Sequence, residues 1–238
     1  MRASTVIFDC DSTLSAIEGI ESISHGNAEI EALTRAAMDG AVALEAVYGA
    51  RLEIARPSRE AVDRLGRDYT DRLMPDARAV IAALRSEGVR VRIMSGGLLP
   101  AVRRMGRELG FDDEDIAAVD VRFDAAGRYA GYDTTSPLAR AGGKGELVCL
   151  WRRSLPSPII LVGDGATDAE AVPALDAFVA YCGVVERPSV VAVADYVIRS
   201  ESLAPVLPIA LEREPVDDGY HELYRKGLAL LGSPDRKN

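Results

Sequence analysis

The sequence predicts an α/β protein, a doubly wound, mostly parallel sheet with a block of helices inserted after its first strand. Two observations carry this prediction. Short apolar runs such as Val6-Ile7-Phe8 and PIILVG alternate with helical segments from residue 75 onward. By contrast, residues 16–74 have helical spacing and almost no strand character.

Taken in order, strand 6–8 runs straight into Asp9. AEIEALTRAAMDGAV and ALEAVYGARLEIA then space apolar residues three and four apart, and SREAVDRLGRDYTDRLM opens on Ser58 as an N-cap behind Pro57. PDARAVIAALRSEG reads as a helix closed by Gly88, VRVRIM as a strand, and LLPAVRRMGRELG as a helix stopped by Gly110. AAVDVRFDAAGRYAGYD reads as two strands around an Ala-Ala-Gly turn. KGELVCLWRR is a helix, PIILVG a short strand, TDAEAVPAL a helix, and AFVAYC and DYVIR the last strands. Beyond residue 200, DDGYHELYRKGLALLG forms one amphipathic helix with Tyr220, Leu223, Tyr224 and Leu231 on one face, and SPDRKN is expected to fray. This divides the chain into a Rossmann-like core (1–15 and 75–200), a helical insertion (16–74) and an extension (201–238) that packs on the core or at an interface.

With 238 residues, 48% hydrophobic and 27% charged, the composition is that of a soluble globular protein large enough to bury a core. A net charge of −9 excludes a general nucleic-acid binder and requires any anionic ligand to be held by local positive charge. The longest nearly apolar run, LAPVLPIAL, is too short to span a bilayer, and MRAST leads directly into the first strand. Three scattered cysteines, Cys10, Cys149 and Cys182, imply no disulfide framework, so a reduced, cytoplasmic protein is expected, as a monomer or homodimer.

Four stretches sit at strand ends or open helices: DCDST, SGG, GGKG and GDGATD. In a doubly wound sheet these ends converge on one crevice, bringing together Asp9, Asp11, Ser95, Lys144, Asp164 and Asp168. The lysine is informative because only three of 28 basic residues are lysines, and this one stands between glycines at a helix start. Such a place suits a compact ammonium better than a planar guanidinium.

These four motifs resemble those of the haloacid dehalogenase superfamily of aspartate-nucleophile phosphatases. Within it, EGIES, LTRAAMDGAV, RLEIARPSRE and GRYAGYD resemble the phosphoserine phosphatase family, over residues 6–199. Two departures stand out: Asp39, where that family usually has glycine, and the unmatched segment after Ser200. The resemblance implies a helical cap at 16–74 that selects the substrate. It also implies Mg²⁺-dependent hydrolysis of O-phospho-L-serine through an aspartyl-phosphate, the last step of serine biosynthesis.

The residue types suit that reaction. A phosphate dianion and an attacking carboxylate repel by ~4 kcal/mol per charge pair at ~4 Å and an effective dielectric of about 20. A Mg²⁺ held by Asp9 and Asp164 would offset this. The resemblance adds the Asp11 main-chain carbonyl as a ligand, and Asp168 either as a ligand through water or as a support for Lys144. Asp9 is expected as nucleophile and Asp11 as general acid and then base, which requires a raised pKa. Lys144 and main-chain N–H groups after Ser95, Gly96 among them, are expected on the phosphoryl oxygens. The resemblance places Arg51 on the substrate carboxylate, Glu18 on its ammonium, Met38 in the pocket wall and Thr167 near the site.

Competing chemistries fail on particular residues. A cysteine phosphatase needs Cys-x5-Arg, but Ala16, Leu155 and Pro188 occupy the arginine positions. Ser24-His25-Gly26 is not Arg-His-Gly, and the presence of only two histidines speaks against a histidine-based zinc site. GGKG lacks the first glycine and the Ser/Thr of a nucleotide-binding P-loop. The remaining alternatives are a related phosphatase or phosphotransferase for another small phosphorylated metabolite, and a catalytically dead phosphate-binding regulator.

Overall fold

The computed structural model describes residues 1–231, so the expected fraying of SPDRKN lies outside the described residues. In chain order the elements begin with β1 (Thr5–Phe8), followed by α1 (Gly19–Ile23), α2 (Ala28–Met38), α3 (Leu44–Ala55) and α4 (Arg59–Asp71). Next come α5 (Ala77–Ser86), β2 (Arg90–Leu98), α6 (Leu99–Glu108), β3 (Ile116–Val119), β4 (Val121–Phe123) and β5 (Tyr129–Tyr132). The chain continues with α7 (Gly143–Trp151), β6 (Ile159–Gly163), α8 (Ala166–Ala169), β7 (Ala177–Tyr181), α9 (Pro188–Val191) and β8 (Tyr196–Ile198). It ends with α10 (Val206–Leu211) and α11 (His221–Leu231).

Six strands form one parallel sheet in the order β3-β2-β1-β6-β7-β8. Every residue of β1, β6 and β7 is buried, as strands covered by helices on both faces must be. The strand order reverses between β1 and β6, where Phe8 is in register with Val162. The carboxyl ends of these two strands therefore open into the crevice in which α/β sheets bind ligands.

The four helices between β1 and α5 cover that crevice. Their two connections to the core run side by side: Ala16 N–H donates to Arg72 O (2.9 Å) and Met74 N–H to Leu14 O (2.9 Å). The Ser58 hydroxyl caps α4 through the Ala61 N–H at 3.1 Å. AAVDVRFDAAGRYAGYD contains three strands where two were expected, because β3 joins the sheet edge before the β4–β5 hairpin forms. That hairpin packs on the inserted helices, with Arg59 over the Phe123 ring and Tyr48 against Tyr132. The expected TDAEAVPAL helix is only four residues long and gives way to a 3₁₀ turn holding Pro173, whose ring cannot continue an α-helix.

Residues 201–231 are built into the molecule. All six residues of α10 are buried. Ala3 N–H donates to Ala210 O (2.7 Å), and Leu203 N–H donates to Pro75 O (3.0 Å). The Tyr220, Leu223, Tyr224 and Leu231 face of the last helix packs inward, Tyr224 most deeply. Among the described residues no helix is long and apolar enough to cross a membrane.

Candidate active site

Asp9 follows the last residue of β1, and Asp164 the last residue of β6, so the sheet register sets them side by side. Asp168 completes the group from α8: oxygens of Asp9, Asp164 and Asp168 lie within 4.8 Å of one another, all buried. Gly163 permits this approach, since a β-carbon there would collide with the Asp168 carboxylate. Three buried carboxylates form a hard-oxygen donor set, which fits a divalent cation such as Mg²⁺ or Mn²⁺.

Lys144, in the first turn of α7, enters this cluster as its counter-charge. Its Nζ is 2.9 Å from Asp9 Oδ2 and 2.6 Å from Asp168 Oδ1. Burial alone would push the ammonium down, but Asp168 and then Asp9 outweigh it and hold its pKa well above the ordinary lysine value. Both Asp168 oxygens are engaged, because Oδ2 accepts the Gly165 N–H at 3.1 Å. Asp168 therefore steadies Lys144 in this arrangement. Burial, followed by Asp9, pushes the Asp168 carboxyl up to about 7. On Asp164, Oδ1 accepts the Thr13 hydroxyl at 3.2 Å, while Oδ2 pairs with the Arg187 guanidinium.

Asp11 lies beside the cluster in a different setting. Its Oδ1 accepts the Tyr69 hydroxyl (2.6 Å) and the Gly19 N–H (2.7 Å), and Ser95 Oγ stands 3.4 Å from its Oδ2. A side chain at Gly19 would collide with the Tyr69 hydroxyl. Burial, with the neighbouring Glu18 and Asp9 charges, pushes the Asp11 carboxyl up to about 7 against the pull of those hydrogen bonds. This is the condition a general acid needs near neutral pH. Glu18, also raised by burial, accepts the Ser12 hydroxyl at 2.7 Å.

The inserted helices supply the roof. Arg51 is only 4% exposed, donates from Nη1 to Thr34 Oγ1 at 3.1 Å, and lies 5.4 Å over the Tyr48 ring. Its buried Nε has no hydrogen-bond partner, and no carboxylate among the described residues pairs with it. Tyr48 donates across to Gly96 O at 2.8 Å, tying roof to floor. Between them is a cleft lined by residues of both layers.

Nine residues singled out from the sequence line the cleft: Asp9, Asp11, Glu18, Met38, Arg51, Gly96, Lys144, Asp164 and Thr167. Ser95 and Asp168 stand behind its wall, fully buried, each holding a lining group or its neighbour in place. Gly97 N–H is taken by Ser95 Oγ at 2.9 Å, so Gly96 is the residue of this turn that faces the cleft without that internal bond.

A sequence model of haloacid dehalogenase-like hydrolases matches residues 3–176. The chain belongs to this family. It is 37% identical over 192 residues to a phosphoserine phosphatase of Bos taurus, covering 79% of this chain and 85% of that one. It is 35% identical over 206 residues to a chloroplastic phosphoserine phosphatase of Arabidopsis thaliana, covering 83% of this chain and 70% of that one. Among solved structures, a phosphoserine phosphohydrolase-like protein from Francisella tularensis superposes with a TM-score of 0.75 at 26% identity, over 84% of this chain and 96% of that one.

Sequence reasoning missed several residues of this haloacid dehalogenase-like site. Tyr48 and Tyr69 read as ordinary apolar positions on amphipathic helices, yet their hydroxyls reach Gly96 and Asp11. Thr34, behind Arg51, has the same excuse. Arg187 left a usable signal, since it follows the carboxyl end of β7, one strand beyond the crevice.

Proposed function

We propose that this haloacid dehalogenase-like hydrolase is a Mg²⁺-dependent phosphomonoesterase that hydrolyses O-phospho-L-serine to L-serine and phosphate. The observation that carries this reading is the contact of Lys144 with Asp9, at 2.9 Å inside an acidic cluster and beneath an arginine without a carboxylate partner. The phosphoserine phosphatases to which the chain is similar support the choice of substrate. In this reading residues 1–15 and 75–200 are the catalytic core, 16–74 the cap, and 201–238 an extension of the core. The enzyme works in the cytoplasm at the last step of serine biosynthesis.

Asp9, Asp164 and the Asp11 main-chain carbonyl would hold the metal, with Asp168 behind them. Bound there, Mg²⁺ would offset the negative charge that the phosphoryl group and the attacking carboxylate bring together. Asp9 attacks phosphorus, the bond from phosphorus to the serine oxygen breaks, and an aspartyl-phosphate forms on Asp9. Asp11 gives its proton to the departing serine oxygen, held in place meanwhile by Tyr69 and Gly19. Asp11 then takes a proton from the water that attacks the aspartyl-phosphate, releasing phosphate and restoring Asp9. Lys144 and the Gly96 N–H hold phosphoryl oxygens through both steps. Arg51 pairs with the substrate carboxylate and Glu18 with its ammonium, while Met38 and Thr167 complete the pocket.

Hydrolysis of O-phospho-L-serine by the full chain, with Mg²⁺ and again with EDTA, tests this reading. Phosphate release should require the metal. A folded sample that releases none under either condition overturns it in favour of a phosphate-binding regulator. Specificity constants over a panel of small phosphomonoesters decide between O-phospho-L-serine and another metabolite.

A further inference from the structure

Helix α2 ends on an acid in an unfavourable place. Asp39 is its C-cap, at the negative end of the helix dipole. The charge that offsets it is Arg187, from the loop after β7 and only 8% exposed. The Arg187 guanidinium pairs with Asp164 Oδ2, and Nη1 also points at the Asp164 main-chain carbonyl at 3.3 Å. On its other side, Nε lies 3.4 Å from Asp39 Oδ1, without the alignment of a hydrogen bond. One buried cation is thus shared between an acid of the core and an acid of the inserted helices.

The neighbours of Asp39 sit directly on the site. A β-carbon at Gly165 would be 3.1 Å from Met38 Sδ, and one at Gly40 would be 3.4 Å from Ala166 Cβ. The end of α2 therefore rests on the turn that follows Asp164, and Met38 lines the cleft. Without Arg187, three features would push this end away: the helix dipole, the Asp39 charge and the cluster beneath.

We propose that Asp39 and Arg187 are a positioning pair that seats the end of α2, and Met38 with it, over the cluster and so keeps substrate under a closed roof. This rests on the phosphatase reading above. Thr13 donates to Asp164 Oδ1 and Arg187 pairs with Oδ2, so the two do not compete for one oxygen.

The test uses the full chain with saturating Mg²⁺ and the half-exposed Asp39, whose replacement leaves the core packing intact. Asp39→Asn should raise KM for O-phospho-L-serine about three- to fivefold, the scale of a partly exposed ion pair, with kcat within about twofold. Amide exchange over residues 37–43 should quicken in the same variant. Asp39→Glu should restore both, and added salt should narrow the difference in KM. An unchanged KM, or a raised KM with unchanged exchange, overturns the proposal. Should the unaltered protein release phosphate from no ester in the panel, the phosphatase reading falls. The exchange comparison then decides the pair alone, and equal exchange in the two proteins overturns it.

Discussion

Lys144 in the floor of the cleft and Arg51 in its roof are equally buried, each 4% exposed, yet their surroundings are opposite. Lys144 touches two carboxylates, within 2.6 and 2.9 Å. Arg51 has a hydroxyl and an aromatic face, and among the described residues no carboxylate within ion-pair distance, although the charges of Glu18, Asp11 and Glu21 in the same cleft act on it. Burying an unpaired charge costs several kcal/mol, so a chain retains one only where something anionic comes to meet it. A lysine locked between acids serves differently, offsetting their charge and holding them in line. On the proposed reading the floor is complete before the substrate arrives, and the substrate carboxylate completes the roof.

A third cation extends the comparison to the surface. Lys226 is about half exposed and reaches Asp76 Oδ2 at 2.7 Å, beside the Ser202 hydroxyl at 2.5 Å. Together with the Leu203–Pro75 bond, this fastens the C-terminal helices to the connection between the inserted helices and α5. In the proposed function the same charge chemistry serves as a catalytic floor, a recognition roof and a surface fastening, with expected energies that fall in that order.

The largest effect belongs to the floor. Asp9→Asn should lower turnover of O-phospho-L-serine by more than about 10³-fold while substrate binding stays measurable by calorimetry. Near-normal turnover would remove Asp9 as the nucleophile. Next is the roof: Arg51→Ala should lower kcat/KM for O-phospho-L-serine by about 10²-fold, as expected for a lost charge-assisted pair. An aryl phosphate without a carboxylate should lose only a fewfold. Equal losses on the two substrates would mean that Arg51 does not read the substrate, and the contrast with Lys144 would dissolve.

The smallest effect is at Asp76. Burial pushes its carboxyl up, but the hydrogen bonds from Lys226 and Ser202 outweigh it and hold the pKa below the ordinary value. A depressed pKa stabilises the fold above the unfolded value, about 3.9 for aspartate, and that stabilisation is lost as pH falls through the folded value. Asp76→Asn should therefore cost about 1 kcal/mol at pH 7, limited by the exposure of Lys226. The cost should shrink in denaturant melts as pH falls below the unfolded value and through the lower folded one. A cost that persists at low pH would assign Asp76 a role independent of its charge.

Much of this was written locally. Apolar runs without alternation marked the strands of a covered sheet, and Gly88 and Gly110, both with positive φ, closed the helices they were expected to close. DCDST, GGKG and GDGATD were legible because each is a short segment whose chemistry depends on its own residues and on the strand end that carries it. The extra strand β3 was not legible: period-two character shows that a segment is extended, but not which sheet accepts it. The length of α8 was misread for a similar reason, since Pro173 was set inside an otherwise helical pattern.

What the sequence determined by itself is which charged side chains gather at the strand ends, the alternation of strand and helix, and the helices that follow the first strand. Only the tertiary structure decided which charges meet. Asp39 and Arg187, or Tyr69 and Asp11, are far apart in the chain and stand in segments whose local patterns are ordinary. Their contacts depend on how the inserted helices seat on the sheet, and no local periodicity encodes that placement. The pKa of a buried carboxylate follows the same rule, because burial and neighbouring charge are properties of the packed whole.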